Sequence, residues 1–218
     1  MPLPVTVFEE TVEPAVKGFI HHPKIATGEG IVLAHGAGSN SESPLLVAVA
    51  TGLASLGVTV LRIDLPYRQQ RPQGPPPPGS AIGDRAGLRS AAAALRNVVS
   101  GPLYLGGHSY GGRQSTILAS EDSNIADGLL LLSYPLHPPR KPEERRTAHF
   151  PSLRVRSLFI QGTRDPFGTI DDLKQALTLI PAETKIVTVA AAGHELAARS
   201  RLLAVGEEIA EAWREFFR

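Results

Sequence analysis

The feature that most constrains this chain is the stretch 102–115, in which a short apolar run breaks into glycines around one serine. Gly107, Ser109 and Gly111 form the pattern Gly-x-Ser-x-Gly, and their context predicts a strand, a sharp turn and a helix. Such a turn holds the serine hydroxyl above the end of a sheet, where the first amides of the helix point to the same place. Negative charge on a substrate oxygen is stabilised there, so Ser109 is a candidate nucleophile.

Strands and helices are predicted to alternate along the rest of the chain. Apolar runs predict buried strands at 30–34, 58–63, 103–105, 128–133, 155–160 and 184–189. Helices are predicted at 45–56, 84–99, 113–119, 170–179 and 197–217. Two β-prone runs at 5–8 and 15–20 predict an antiparallel pair at a sheet edge. The pattern indicates an α/β fold with a mostly parallel central sheet, helices on both faces and no large cap domain.

Length and composition exclude several other classes of protein. With 218 residues, we expect one domain covering 1–218. The net charge of +1 argues against nucleic acid or an acidic membrane surface as partners. No apolar run approaches the roughly 20 residues of a membrane helix, and the first residues lack a signal-peptide pattern, so we expect a soluble cytoplasmic protein. The chain has no cysteine, which excludes disulfides and thiol catalysis.

A second glycine-rich turn follows the strand at 30–34, where the sequence reads His-Gly-Ala-Gly-Ser-Asn. The amide of Ala37 or Gly38 is the expected second oxyanion donor, beside the amide of Tyr110 just after the serine. The alternative is a plain strand-to-helix turn. In either case Ser41 or Ser43 is expected to cap the helix that follows. A nucleoside-triphosphate loop is excluded, because no Gly-Lys-Ser/Thr pattern is present.

An aspartate and a histidine follow two later predicted strands. Asp165 lies in the turn after 155–160, and His194 comes just after the strand 184–189 with a glycine before it. The carboxyl ends of parallel strands meet at one edge of a sheet, so both are predicted to lie near Ser109. A buried structural histidine is the alternative for His194. Neither His137 nor His149 follows a core strand, which makes both less suitable.

Two longer segments are predicted to be irregular. Residues 68–80 contain a polyproline run at 75–78 and are expected to form a stiff loop, with a ligand for a proline-recognition domain as the alternative. Residues 134–152 are expected to form a short lid-like loop. The basic residues in 140–146 are expected to be solvated, with recognition of a substrate carboxylate as the alternative.

The chain order Ser109, Asp165, His194 is that of the α/β-hydrolases, and the sequence resembles that superfamily across essentially its whole length. It is similar to the small, cap-poor hydrolases of the dienelactone-hydrolase-like group, in particular the branch related to testis-expressed protein 30 and the KANSL3 hydrolase-like domains. The closer resemblance is carried by His-Gly-Ala-Gly at 35–38, Asp-Leu-Pro-Tyr at 64–67, Gly-His-Ser-Tyr-Gly at 107–111, Gly-Thr-Arg-Asp-Pro at 162–166 and Gly-His-Glu at 193–195.

The resemblance implies a Ser-Asp-His triad but no particular substrate. Dienelactone hydrolases proper use a cysteine nucleophile, which is missing here, and the dehalogenases and epoxide hydrolases of this fold need an aspartate where Ser109 stands. The expected function is therefore a serine hydrolase of the carboxylesterase type, acting on a small-molecule carboxylic ester or thioester without a metal or organic cofactor. Two alternatives stay open: a non-catalytic interaction domain with this fold, and an acyltransferase or peptidase with the same triad. The oligomeric state is open as well.

Overall fold

The predicted strands form a single sheet in the computed structural model, which describes residues 3–218. In chain order the strands are β1 Val5–Glu10, β2 Val16–His21, β3 Gly30–Ala34, β4 Thr59–Asp64, β5 Leu103–His108, β6 Gly128–Leu132, β7 Ser157–Gly162 and β8 Thr184–Val189. Across the sheet their order is β1-β2-β4-β3-β5-β6-β7-β8. The pairs β1–β2 and β2–β4 are antiparallel, whereas all pairs from β4 to β8 are parallel. The predicted antiparallel edge pair is thus confirmed.

Helices cover both faces of this sheet, which confirms the predicted fold class. They are α1 Pro44–Ser55, α2 Pro66–Gln70, α3 Ala81–Arg96, α4 Tyr110–Glu121, α5 Ile170–Leu177 and α6 Leu202–Phe217. Helices α1 and α6 bury their apolar residues in one core, and α3, α4 and α5 bury theirs in the core on the opposite face. None of the helices within residues 3–218 is long and apolar enough to cross a membrane.

The structure corrects several local predictions. Helix α3 lies three residues earlier than the predicted 84–99, and β7 lies two residues later than the predicted 155–160. The segment predicted as a loop at 68–80 begins inside the short helix α2, which Pro66 starts with its helical φ and missing amide. Helix α6 begins at Leu202 rather than at 197, because 199–201 form a separate 3-10 turn. Ser43 occupies the N-cap of α1 but makes no side-chain cap hydrogen bond, and Ser41 instead donates its amide to Asp64.

The parallel strands bring four chain segments to one edge of the sheet. Residues 35–41 follow β3, and Ser109 follows β5 directly. The turn with Asp165 follows β7, and the loop with His194 follows β8. In a parallel sheet with crossover helices, this carboxyl edge is where ligands bind, so the topology assembles the predicted site residues from distant parts of the sequence.

A buried histidine and arginine connect β2 and β4 in the antiparallel part of the sheet. His21 and Arg62 are 1% and 4% exposed. Arg62 Nε donates to His21 Nε2 at 2.8 Å, and Arg62 Nη1 donates to the carbonyl oxygen of Ser41. Burial and, secondarily, the charge of Arg62 lower the pKa of His21 to about 4. His21 therefore accepts the hydrogen bond as a neutral ring.

Stability is expected to fall when the pH drops below the ordinary range of histidine. Because the pKa of His21 is lowered to about 4 in the folded protein, the unfolded chain binds more protons between about pH 6.5 and 4. The contribution of neutral His21 to the free energy of unfolding is therefore complete above about pH 6.5 and is lost as the pH falls towards about 4. Urea unfolding at about pH 7.5 and pH 5 should show that His21→Gln, which keeps an acceptor for Arg62, loses about 1 kcal/mol less than the wild type.

The neighbouring histidine provides the matched control for this experiment. His22 lies in an exposed contact with the Thr6 hydroxyl and is the smallest of the three causes that lower the pKa of His21, so His22→Gln should keep most of the wild-type dependence of stability on pH. If His21→Gln loses as much stability on acidification as the wild type, His21 is not the titrating group.

Candidate active site

Three side chains meet at the carboxyl edge of the parallel strands. Nε2 of His194 lies 2.8 Å from Oγ of Ser109, and the serine hydroxyl donates to it. Nδ1 of the same ring lies 2.9 and 3.0 Å from the two carboxylate oxygens of Asp165, which accept the hydrogen bond of the Nδ1–H group. The structure thus brings together the three residues that the chain order singles out, in one hydrogen-bonded row.

The serine occupies a strained turn between β5 and α4. Ser109 has φ 49° and ψ −110°, and a positive φ costs a residue with a side chain about 1–3 kcal/mol. Its amide donates to the carbonyl of Leu132 at 2.8 Å, which ties the turn to β6. The flanking glycines allow the turn to pack onto β3, because an added Cβ would lie 2.1 Å from the Ala34 oxygen at Gly107 and 2.5 Å from it at Gly111.

The histidine is held from both sides of its ring. The side chain of Asp165 is fully buried and also accepts the amide of Phe167 at 2.9 Å. The ring of Phe167 lies 4.2 Å from the ring of His194 at an angle of 32°. Phe167 therefore shields the imidazole from water, a contact that no sequence pattern indicates.

A second histidine, at position 108, links the turn with the nucleophile to the loop of His194. His108 is 4% exposed, and its Nε2 donates to the backbone carbonyl of His194 at 2.9 Å. Burial lowers the pKa of His108, so the ring is a neutral hydrogen-bond donor near neutral pH. The sequence places His108 inside the conspicuous serine motif but gives no sign of this partner, which lies 86 residues away.

A cavity of about 400 Å³ opens in front of the serine hydroxyl. Its walls come from the loop 36–39 and from Pro44, Phe167, His194 and Glu195. The amides of Ala37, Gly38 and Tyr110, the predicted oxyanion donors, have no acceptor within the described residues. The amide of Gly111 donates to the His35 carbonyl, which holds this loop against the first turn of α4.

The segment predicted to form a lid-like loop, and the histidines at 137 and 149, lie outside this cavity. Residues 134–152 supply none of its lining within the described chain. His149 shares a hydrogen bond with the Thr116 hydroxyl, and His137 with the carbonyl of Pro138. In 140–146, Lys141 and Arg145 pair with nearby carboxylates. Among residues 3–218, no group of three or more His, Asp or Glu side chains is placed to hold a metal ion.

The sheet is mostly parallel, and a serine lies at a sharp turn after a central strand, while an aspartate and a histidine follow two later strands. This arrangement defines the α/β-hydrolase fold. The sequence matches the Alpha/beta hydrolase domain family over residues 27–217. The chain belongs to that family, and so to a family of hydrolases.

Solved structures of similar proteins share the fold. A dienelactone hydrolase from Anabaena variabilis superposes with a TM-score of 0.78 at 22% identity, covering 100% of both chains. An alpha-beta serine hydrolase homologue from Coxiella burnetii gives 0.76 at 18% identity, covering 95% of this chain and 96% of that one. A Xanthomonas campestris protein described as an a/b serine hydrolase without lid gives 0.71 at 16% identity, covering 99% and 96%.

The close packing of the serine turn on β3 is testable with two helical glycines. Gly111→Ala would place a Cβ 2.5 Å from the Ala34 oxygen, whereas a Cβ at Gly83 in α3 meets nothing within 4 Å. We expect Gly111→Ala to destabilise the protein by about 1–3 kcal/mol through overpacking and Gly83→Ala to stabilise it by up to about 1 kcal/mol. Urea unfolding measures the stability of both variants. Equal unfolding midpoints would show that β3 shifts to make room for the added Cβ.

Proposed function

We propose that this protein is a serine hydrolase of the carboxylesterase type, which cleaves a carboxylic ester or thioester through an acyl-enzyme intermediate. The single observation that carries the proposal is the hydrogen-bonded row of Ser109, His194 and Asp165 at the wall of a cavity. Nucleophile, base and a buried carboxylate that orients the base are the parts that acyl transfer to serine requires.

In the proposed acylation step, Oγ of Ser109 bonds to the acyl carbon while Nε2 of His194 takes the hydroxyl proton. The carbonyl electron pair moves onto oxygen, where the amides of Tyr110 and of Ala37 or Gly38 stabilise it. Asp165 accepts the hydrogen bond of Nδ1–H throughout and stabilises the imidazolium that forms. When the tetrahedral intermediate collapses, the bond to the leaving group breaks, and His194 gives that group its proton.

In the proposed deacylation step, water takes the place of the leaving group. His194 removes a proton from the water as its oxygen attacks the acyl carbon, and the same amides hold the second oxyanion. Collapse breaks the bond between the acyl carbon and Ser109 Oγ, which recovers its proton from His194. The free acid leaves, and the hydrogen bond of 2.8 Å between serine and histidine is restored.

Several finer assignments within the proposal come from the sequence. The resemblance at 35–38, 64–67, 107–111, 162–166 and 193–195 supports a place in the branch related to testis-expressed protein 30 and the KANSL3 hydrolase-like domains. We also propose that 1–218 is one hydrolase domain and that it acts in the cytoplasm on small acyl substrates. Of the two rival functions, a non-catalytic domain would not need Ser109 and His194 in hydrogen-bond contact.

Labelling with a fluorophosphonate tests the proposal directly. We expect a single adduct on Ser109 by intact mass and peptide mapping, and none in Ser109→Ala, which should also lower ester turnover by up to about 10⁶. Ser133→Ala is the matched control, because Ser133 also follows a parallel strand with φ 49° but has a fully buried hydroxyl with no hydrogen-bond partner among residues 3–218. This control should label like the wild type.

Two outcomes of this experiment would change the proposal. A folded wild type without an adduct would favour the non-catalytic domain. Ester turnover that survives in Ser109→Ala would place the nucleophile elsewhere. If labelling succeeds, product analysis with an added alcohol or amine acceptor distinguishes hydrolysis, which yields only acid, from acyl transfer.

The charge of the cavity wall bears on which acyl groups we expect to be cleaved. Of the cavity-lining residues in the described part of the chain, Glu195 is the one acid, and neither lysine nor arginine is among them. A carboxylate on the substrate would meet repulsion and no cationic partner. The proposed substrates are therefore neutral or cationic acyl groups.

This selectivity is expected to weaken when the charge is removed. With an acetyl ester and a succinyl ester of the same phenol, kcat/KM should favour the neutral substrate, and Glu195→Gln should narrow the ratio about two- to five-fold, the size of an exposed charge interaction. Added salt should have a similar effect. Glu9→Gln, on the edge strand β1 and outside the cavity, serves as the control. A wild type that prefers the succinyl ester would contradict the assignment.

A further inference from the structure

The loop with the proposed oxyanion amides is held by side chains from the start of α2. The hydroxyl of Tyr67 donates to the carbonyl oxygen of Ala37 at 2.8 Å. Nη2 of Arg68 donates to the same oxygen at 3.1 Å, and its Nε donates to the carbonyl of Ser39 at 2.7 Å. Tyr67 and Arg68 are 3% and 5% exposed, so both side chains are packed against the loop they hold.

A held carbonyl also sets the direction of the next amide. The peptide unit is planar and trans, so its N–H points opposite to its C=O. The Ala37 carbonyl and the Gly38 amide belong to one peptide unit. Because Tyr67 and Arg68 hold the oxygen on their own side, the Gly38 N–H is turned the other way, and Gly38 lines the cavity in front of Ser109.

The preceding peptide unit is held in the same manner by His35. Nδ1 of this ring donates to the Gly36 carbonyl at 2.8 Å, which sets the direction of the Ala37 amide. Nε2 accepts the amide of Leu65 at 3.2 Å, so the ring is neutral. Burial, which lowers the pKa of His35, favours this neutral form. The pair of hydrogen bonds leaves the ring one tautomer.

A buried carboxylate connects this arrangement to the other proposed oxyanion donor. Asp84 is fully buried, and one of its oxygens accepts the amide of Tyr67 at 3.1 Å. Its other oxygen accepts the hydroxyl of Tyr110 at 2.7 Å. Asp84 of α3 therefore joins Tyr67, which holds the loop, to Tyr110, whose amide is the first of α4.

We propose that Tyr67 and Arg68 are positioning residues of the oxyanion hole, which hold the Ala37–Gly38 peptide so that its amide faces the developing oxyanion. The proposal rests on the proposed function. The triad gives no role to the stretch Asp-Leu-Pro-Tyr at 64–67. Positioning of the Ala37–Gly38 peptide is the role that we propose for its last residue, together with Arg68. Burial raises the pKa of Tyr67 to about 12, so its hydroxyl keeps the proton that it donates.

The structure contains a matched control for the tyrosine. Tyr134 is 1% exposed, and its hydroxyl donates to a backbone carbonyl, that of Arg146, at 2.8 Å. This is the same bond at the same distance, but Tyr134 does not line the cavity. Tyr67→Phe and Tyr134→Phe each remove one hydroxyl and keep the ring, so they separate an effect on catalysis from a general loss of structure.

The experiment compares turnover of a neutral ester with the affinity for a boronic acid, which forms a tetrahedral adduct on an active serine. In Tyr67→Phe we expect kcat to fall roughly ten- to hundred-fold, less than the 10²–10³ of losing a donor outright. KM should stay within about two-fold, and boronic acid affinity should fall by the same factor as kcat. Tyr134→Phe should change neither kcat nor this affinity by more than about two-fold. Urea unfolding of both variants controls for stability.

Arginine 68 gives a second, independent variant. Its guanidinium donates to the carbonyls of Ala37, Ser39, Arg71 and Gly74. One lysine ammonium cannot reproduce this fork, so Arg68→Lys should lower kcat as Tyr67→Phe does, despite the retained charge. Equal activity losses in Tyr67→Phe and Tyr134→Phe, or a rise in KM at unchanged kcat, would overturn the proposal.

Failure of the proposed function is distinguishable from failure of this inference. A wild type that gives no adduct with a fluorophosphonate contradicts the hydrolase. The orientation of the loop is then read from the ¹H–¹⁵N amide signal of Gly38, which should shift in Tyr67→Phe and stay unchanged in Tyr134→Phe. An unchanged Gly38 signal in both variants would show that Tyr67 does not set the direction of this amide.

Discussion

The close contact between the serine turn and the end of β3 is the constraint on which the rest of the site depends. Parallel pairing places Gly107 of β5 beside Ala34 of β3, and the glycines at 107 and 111 let the turn approach the Ala34 carbonyl. The amide of Gly111 then reaches the carbonyl of His35. This contact sets the glycine-rich loop directly beside Ser109, and a site of serine, histidine and backbone amides needs that proximity before any side chain can act.

Three histidines around this contact play different physical parts. His35 and His108 are buried and have lowered pKa values, so each ring is neutral. His35 donates a hydrogen bond to the loop after β3, and His108 donates one to the loop after β8. His194 alone lies between a serine hydroxyl and a carboxylate. Burying these two rings as neutral hydrogen-bond partners avoids the cost of burying further positive charge beside the site.

The walls of the cavity come from short loops rather than from an added cap. The loop after β3, the start of α1 and the turns after β7 and β8 supply them, while residues 134–152 pack elsewhere. In the described chain the lining contains one acid, Glu195, and neither lysine nor arginine. The absence of lysine and arginine from this lining is the observation behind the proposal that the substrates carry neutral or cationic acyl groups.

The strands, most helices and the placement of Ser109, Asp165 and His194 beyond strand ends are predictable from the sequence, because apolar runs and glycines report local conformation. The start of α6 is not, since a separate 3-10 turn at 199–201 precedes it, and neither is the lack of a cap hydrogen bond from the Ser43 side chain. The sequence also does not predict the contacts made by the side chains of Phe167, His108, Tyr67 and Arg68. Their partners lie up to 86 residues away, and local patterns carry no distance between such segments. The sequence by itself determined which chemistry reaches the edge of the sheet, and the tertiary structure decided how each group is held there, because only the parallel pairing of distant strands brings donors and acceptors within hydrogen-bond range.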